Sequence, residues 1–188
     1  MKKILTLALV LALFGAVAQA QPVIDGVIGD GEYASKFVDA ETDAVLHWTI
    51  DGDDIHLAFT FPSRGWAGIG WLAEQSNRKA GADILIVTMQ DGAPVLLDMY
   101  QASARGESEM DEEHGGSNSY TAFAATFEND VWTVEATRPL VTGQPSDVDI
   151  VPGEPMILML AYANVMDVSR AHARSTSGGA HYVDPFTF

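Results

Sequence analysis

GWAGIGWLAEQSNRKAGAD, residues 65–83, is the stretch on which the reading of the fold turns. It reads as a strand rich in Trp and Gly, then a polar loop, then a second strand opened by Gly81-Ala82-Asp83. Glycines alternating with large apolar residues inside a strand mark a close approach by another group. That group is either another backbone or a ligand.

Short β-like runs separated by Gly, Pro, Asn and Asp clusters extend to both sides of this stretch. Upstream, residues 44–50 and 55–61 flank the turn Asp51-Gly52-Asp53-Asp54, with Ile55, Leu57, Phe59 and Phe61 on one face. This is a hairpin by its Asp-Gly chemistry. Residues 66–71, 82–89 and 95–101 follow as strands, the last two joined through Gln90-Asp91-Gly92-Ala93-Pro94. After a polar excursion over 102–118, residues 120–127 and 131–137 form a second hairpin around Glu128-Asn129-Asp130. Residues 155–163 have the length and composition of a buried strand, and 181–188 of a closing one. No segment keeps helical periodicity over three turns, and no helix-length segment separates the strands. The expected class is all-β, an antiparallel β-sandwich with long loops at one end.

The first 20 residues are expected to be a signal peptide. Lys2 and Lys3 precede an apolar run over 4–17, and Ala18-Gln19-Ala20 is a small-x-small cleavage site. Residues 21–188 then form one domain, long enough for a sizeable core. The expected location is exported, periplasmic or secreted, with no membrane span in the mature chain. The sequence holds no Cys, which excludes disulfides, zinc–thiolate sites, iron–sulfur clusters and thioether-linked haem. With 26 Asp and Glu against 10 Lys and Arg, the net charge is −16. Nucleic acid is a poor partner for such a field; a basic protein face or a cation is a better one. No Gly-x-Ser-x-Gly, His-Glu-x-x-His or phosphate loop is present. For nucleophilic catalysis the sequence therefore offers little.

Six pieces in order resemble the DOMON domain family. Ile24 to Tyr33 is similar to the DGxxxxGEY opening of bacterial members, and Gly65 to Gly70 to the GWxxxG strand. Gly81-Ala82-Asp83-Ile84 resembles the GAD strand, Asp98-Met99-Tyr100 the D-x-Y, and Arg138 to Gly143 the RPLxTG turn. Leu160-Ala161-Tyr162 and then His172 resemble the last strand and the histidine beyond it.

The resemblance implies an immunoglobulin-like β-sandwich that binds haem or sugar, a binding or electron-transfer protein in preference to an enzyme with its own catalytic residues. In haem-binding members a b-type haem sits at one end of the sandwich, between a Met just before the GAD strand and a His in the last loop. His172 falls where that His belongs, while the Met position falls at about Lys79, and no Met occurs between residues 64 and 88. A Lys amine binds iron only when deprotonated. The implied set is thus His172 as axial ligand, Lys79 as a second axial ligand, and His181 as a rival. Arg170 and Arg174 would pair with propionates, and Trp66 would pack near the ring. A separate redox partner, with a basic docking face, would exchange electrons. The alternative is a haem-free sugar or small-ligand module using Trp66 or Trp71 as platforms. The acidic loop over 107–113 offers oxygen ligands for calcium without regular spacing, and a solvated charge run is its plainer reading. His47 and His56 are expected to face outward into solvent, and His114 to lie on the surface.

Overall fold

The computed structural model describes residues 21–73, 79–170, 172 and 180–188. Among these, eleven strands form two antiparallel sheets packed face to face. One sheet holds β1 (Ser35–Val38), β2 (Val45–Asp51), β3 (Asp54–Pro62), β8 (Ala122–Glu128) and β9 (Val131–Pro139). The other holds β4 (Ala67–Leu72), β5 (Ala82–Gln90), β6 (Ala93–Gln101), β7 (Glu109–Met110), β10 (Met156–Tyr162) and β11 (Ala180–Phe186). The strand orders are β1-β2-β3-β9-β8 and β11-β10-β4-β5-β6-β7. This is the expected all-β sandwich.

Turn chemistry sets the hairpins. Asn129 and Asp130 both take positive φ, 52° and 60°, between the paired residues Glu128 and Val131. Two positive φ values match the twist of the flanking strands, and Asn and Asp tolerate them better than most residues. Asp91 and Gly92 do the same between β5 and β6, at 52° and 81°.

Two-residue alternation then sorts the side chains. Leu46, Ile55, Leu57, Phe59 and Phe61 meet Ala67, Ile69, Trp71, Leu85, Val87, Leu158 and Leu160 in the interior. Trp71, expected as a possible sugar platform, is fully buried there. Alternation also predicts the outward direction of His56 but not its surroundings. His56 bonds Thr137 Oγ1 through Nδ1 at 2.8 Å and is buried, not solvated. The chain before β1 lies against this outer face. The backbone N–H groups of Asp25, Gly26 and Val27 donate to Glu135 Oε2, and the Tyr33 hydroxyl donates to Glu135 Oε1. Burial and that bond to a carboxylate push the Tyr33 phenol well up.

β1, β7 and the 3₁₀ turn Asp111–His114, all four residues or shorter, have no counterpart in the sequence pattern. Such short elements carry too little periodicity to stand out.

Candidate functional site

The outer face of the six-stranded sheet is apolar too. Gly68 and Gly70 of β4 pair with Ile86 and Ile84 of β5 on one side, and with Ala161 and Met159 of β10 on the other. A Cβ on Gly70 would stand 2.8 Å from Asp83 O, 3.0 Å from Met159 Cε and 3.1 Å from Ile84 Cγ1. A Cβ on Gly68 would meet Leu85 O at 2.9 Å and Ile86 Cγ1 at 3.1 Å. The glycines thus let Ile84, Ile86 and Met159 close over β4 as a flat aliphatic floor. At Gly65 the approach is by backbone. A Cβ there would lie 2.1 Å from Val165 O, and Trp66 N donates to that same oxygen at 3.0 Å.

A groove runs across this floor. The lobe over Gly68, Gly70, Ile84 and Met159 encloses about 90 Å³ and joins a larger one of about 690 Å³, beside residues 104–108 and 168–170, through Trp66, Lys79, Ile86, Ser108, His172 and Tyr182. Volumes of about 300–1,000 Å³ suit cofactors and small ligands. The groove lies against the sheet's outer face, not at the end of the sandwich where the resemblance puts a haem.

The fold brings most of the sequence-predicted residues to this groove. His172 is exposed and lines both lobes. Lys79 lines both as well, and its Nζ donates to Gly106 O at 2.9 Å. Burial lowers the Lys79 amine from its ordinary value. Trp66 is 6% exposed, packs with Ile86, Met99 and Ala163, and donates its indole N–H to Arg170 O at 3.2 Å. Arg170 lines the larger lobe. Arg174 lies outside the described residues.

His181 touches the groove, but its register partner Leu160 faces the core, and its Nδ1 pairs with Asp39 Oδ1 at 2.7 Å. Tyr182, one residue on, pairs with Met159 and lines both lobes. Sequence reasoning passed over Tyr182, Ser108 and Arg105. Only Tyr182 carried a signal, through its alternation with His181.

A second polar cluster lies inside the sandwich, on the opposite face of β5 and β6. Arg138 Nη1 donates to Asp83 Oδ2 at 2.6 Å, and its Nη2 lies 3.7 Å from Asp147 Oδ2. Asp98 accepts from Ser119 N at 2.7 Å, and Asp111 from Ser146 Oγ at 2.8 Å. Arg138 also lies over the Trp71 ring at 5.1 Å. Burial raises the Asp83 carboxyl, although Arg138 opposes the shift. Burial also pushes Asp98 up to about 8, and Asp111 to about 7 with Asp147 beside it. Burial presses Asp147 the same way, but hydrogen bonds from Ser119, Thr142 and Asp111 hold it below its ordinary value. Asp111 thus departs from the solvated run expected over 107–113. The 3₁₀ turn rotates it inward, while Glu112 and Glu113 remain exposed. His114 bonds Glu109 at 2.6 Å and packs edge-on to Tyr100.

The motif residues Asp83, Asp98 and Arg138 therefore converge on one interior cluster, whereas Gly68 and Gly70 shape the outer groove. The chain resembles the crystal structure of the cytochrome b domain of pyranose dehydrogenase from Coprinopsis cinerea, at 12% identity over 80% of each chain and a TM-score of 0.49. That likeness is too distant to assign a role to any residue. Among curated proteins no relative matches. The family model described as "DOMON domain" matches residues 40–163, a span from the approach to β2 to just past β10 that includes both sheets' central strands. This protein belongs to the DOMON domain family.

Proposed function

We infer that the groove holds a b-type haem without covalent attachment and that the protein passes single electrons. One observation carries this reading: Lys79 and His172, far apart in sequence, line the same groove over a flat aliphatic floor with Trp66 beside them. The residues present suit the group. An imidazole and an amine lowered by burial are both nitrogen donors, and the floor would accept a planar apolar ring.

The bound haem would supply the one-electron couple. The chain's own residues would do the rest. His172 would offer its imidazole to the iron. Lys79 presents a second nitrogen once its amine gives up the proton and its bond to Gly106 O. Arg170 would supply a cation for the propionates, and Ile84, Ile86 and Met159 would keep water from the ring. The protein acts outside the cytoplasm, and its net charge of −16 steers it to a redox partner with a basic docking face. The sugar-binding alternative keeps less support, because Trp71 is core and Trp66 is almost wholly covered.

The test is an absorption spectrum of protein reconstituted with haem, oxidised and then reduced with dithionite. A Soret band with sharp reduced α and β bands is expected, and it should vanish in His172→Ala. Absence of a Soret band in the wild type would retire haem binding. A band unchanged in His172→Ala would reassign the ligand.

A further inference from the structure

The interior cluster holds more carboxyl groups than its one cation can pair with. Arg138 stands against Asp83, Asp98, Asp111 and Asp147. Buried charge is costly unless it is paired and hydrogen-bonded. The hydrogen bonds here use only part of the carboxylates' capacity. Asp83 Oδ2 takes Arg138 and, at 3.0 Å, Val148 N; Asp98 Oδ2 takes Ser119 N; Asp147 Oδ2 takes Ser119 Oγ. Asp83 Oδ1 and Asp98 Oδ1 have no hydrogen-bond partner, although the two residues are only 1% and 0% exposed. Native proteins seldom leave such atoms unmet.

Geometry says what would meet them. One carboxylate oxygen from each of Asp83, Asp98 and Asp147 lies within 4.8 Å of the other two. Two calcium–oxygen bonds of about 2.3–2.6 Å bridge oxygens up to roughly 5 Å apart. A donor set of carboxylate oxygens alone selects a hard cation. The charges also balance once Asp111 keeps the proton of its hydrogen bond to Asp147: the other three carboxylates, Arg138 and one divalent ion leave no net charge.

We propose that Asp83, Asp98 and Asp147 form a buried site for one divalent cation of the calcium class. It is separate from the groove, because Asp83 and Asp98 leave β5 and β6 on the face opposite Ile84, Ile86 and Met99. It is also separate from the exposed acidic residues Glu112 and Glu113. The ion ties β5 and β6 to the segment carrying Asp147, next to the Arg138 link that joins the two sheets.

The test uses the whole mature chain, stripped with EDTA and then dialysed against calcium chloride. One calcium per chain is expected. At a hundredfold excess over Kd, the melting temperature should rise by roughly 5–10 °C. Asp98→Asn should weaken binding at least tenfold, while Glu112→Gln with Glu113→Gln leaves it unchanged. Asp98→Asn alters the interior and can unfold the domain, so a second readout uses the wild type. Arg138 packs on both Trp71 and Tyr120, which puts the two rings beside the cluster. Terbium bound there should give luminescence when the rings are excited, lost on adding a large excess of calcium chloride. No stoichiometric calcium in the wild type overturns the site. So does calcium binding that survives Asp98→Asn but is lost in the Glu112/Glu113 double variant.

Discussion

Arg138 of β9 and Asp83 of β5 meet at 2.6 Å inside the sandwich, and neither side chain has more than 1% of its surface in water. One comes from the RPLxTG turn and the other from the GAD strand, so the pair joins the two sheets. Replacing Arg138 with Met leaves Asp83 buried without its partner. A loss of about 3–5 kcal/mol is expected for Arg138→Met, read from urea unfolding. Arg138→Met with Asp83→Leu should lose less than Arg138→Met alone, because the double change leaves no orphaned charge at Asp83. A double variant weaker than the single would show that the pair's worth lies elsewhere.

Asp98 gives the fold a pH dependence with a definite sign. Its folded value near 8 stands above the ordinary 3.8, so the folded chain keeps a proton that the unfolded chain releases. Stability therefore falls as pH rises from about 4 to 8, by up to about 1.4 kcal/mol per unit for each such proton. Asp111 acts in the same direction up to about 7. Asp147, held low, acts oppositely at more acid pH. Asp83, Asp111, Asp147 and Arg138 are the charged groups around Asp98, and Tyr120 adjoins them. Melting curves in chelator should show a higher midpoint at pH 5 than at pH 8.5. Asp98→Asn should shrink that difference; an unchanged difference would assign it to other groups.

The glycines of β4 are required by neighbours, not by backbone angle. Gly70→Ala forces a methyl to within 2.8 Å of Asp83 O and should cost about 1–3 kcal/mol. Gly65→Ala is expected to be worse, since its Cβ would overlap the Val165 backbone at 2.1–2.3 Å. Thermal melting of the two variants gives the order directly.

Lys79 separates the two nitrogen donors of the groove. With haem bound, Lys79→Ala should keep the Soret band and shift the iron toward high spin, whereas His172→Ala should lose the band. Loss of the band in both would make Lys79 a principal ligand. An unchanged spin state in Lys79→Ala would leave it only its bond to Gly106 O.

Much of the fold was legible before any coordinates. The hairpin turns at Asp91-Gly92 and Asn129-Asp130 announce themselves by residue type. The alternation of Ile55, Leu57, Phe59 and Phe61 names the core face of β3, which the structure places in the interior. The groove was legible in part. His172, Lys79, Trp66 and Arg170 come through the order of the motifs, while Arg105 and Ser108 sit in a polar excursion with no pattern.

By itself the sequence determined strand length, turn type and which side chains alternate, because these depend on neighbours one to four residues away. Only the tertiary structure decided what those faces meet. His56 points outward as alternation requires, yet is buried and bonded to Thr137 of the neighbouring strand. Asp111 looks like one more solvated acid until the fold seals it beside Ser146 and Asp147. A carboxylate's charge and a glycine's necessity are set by desolvation and contact with distant segments, and neither leaves a local periodic trace.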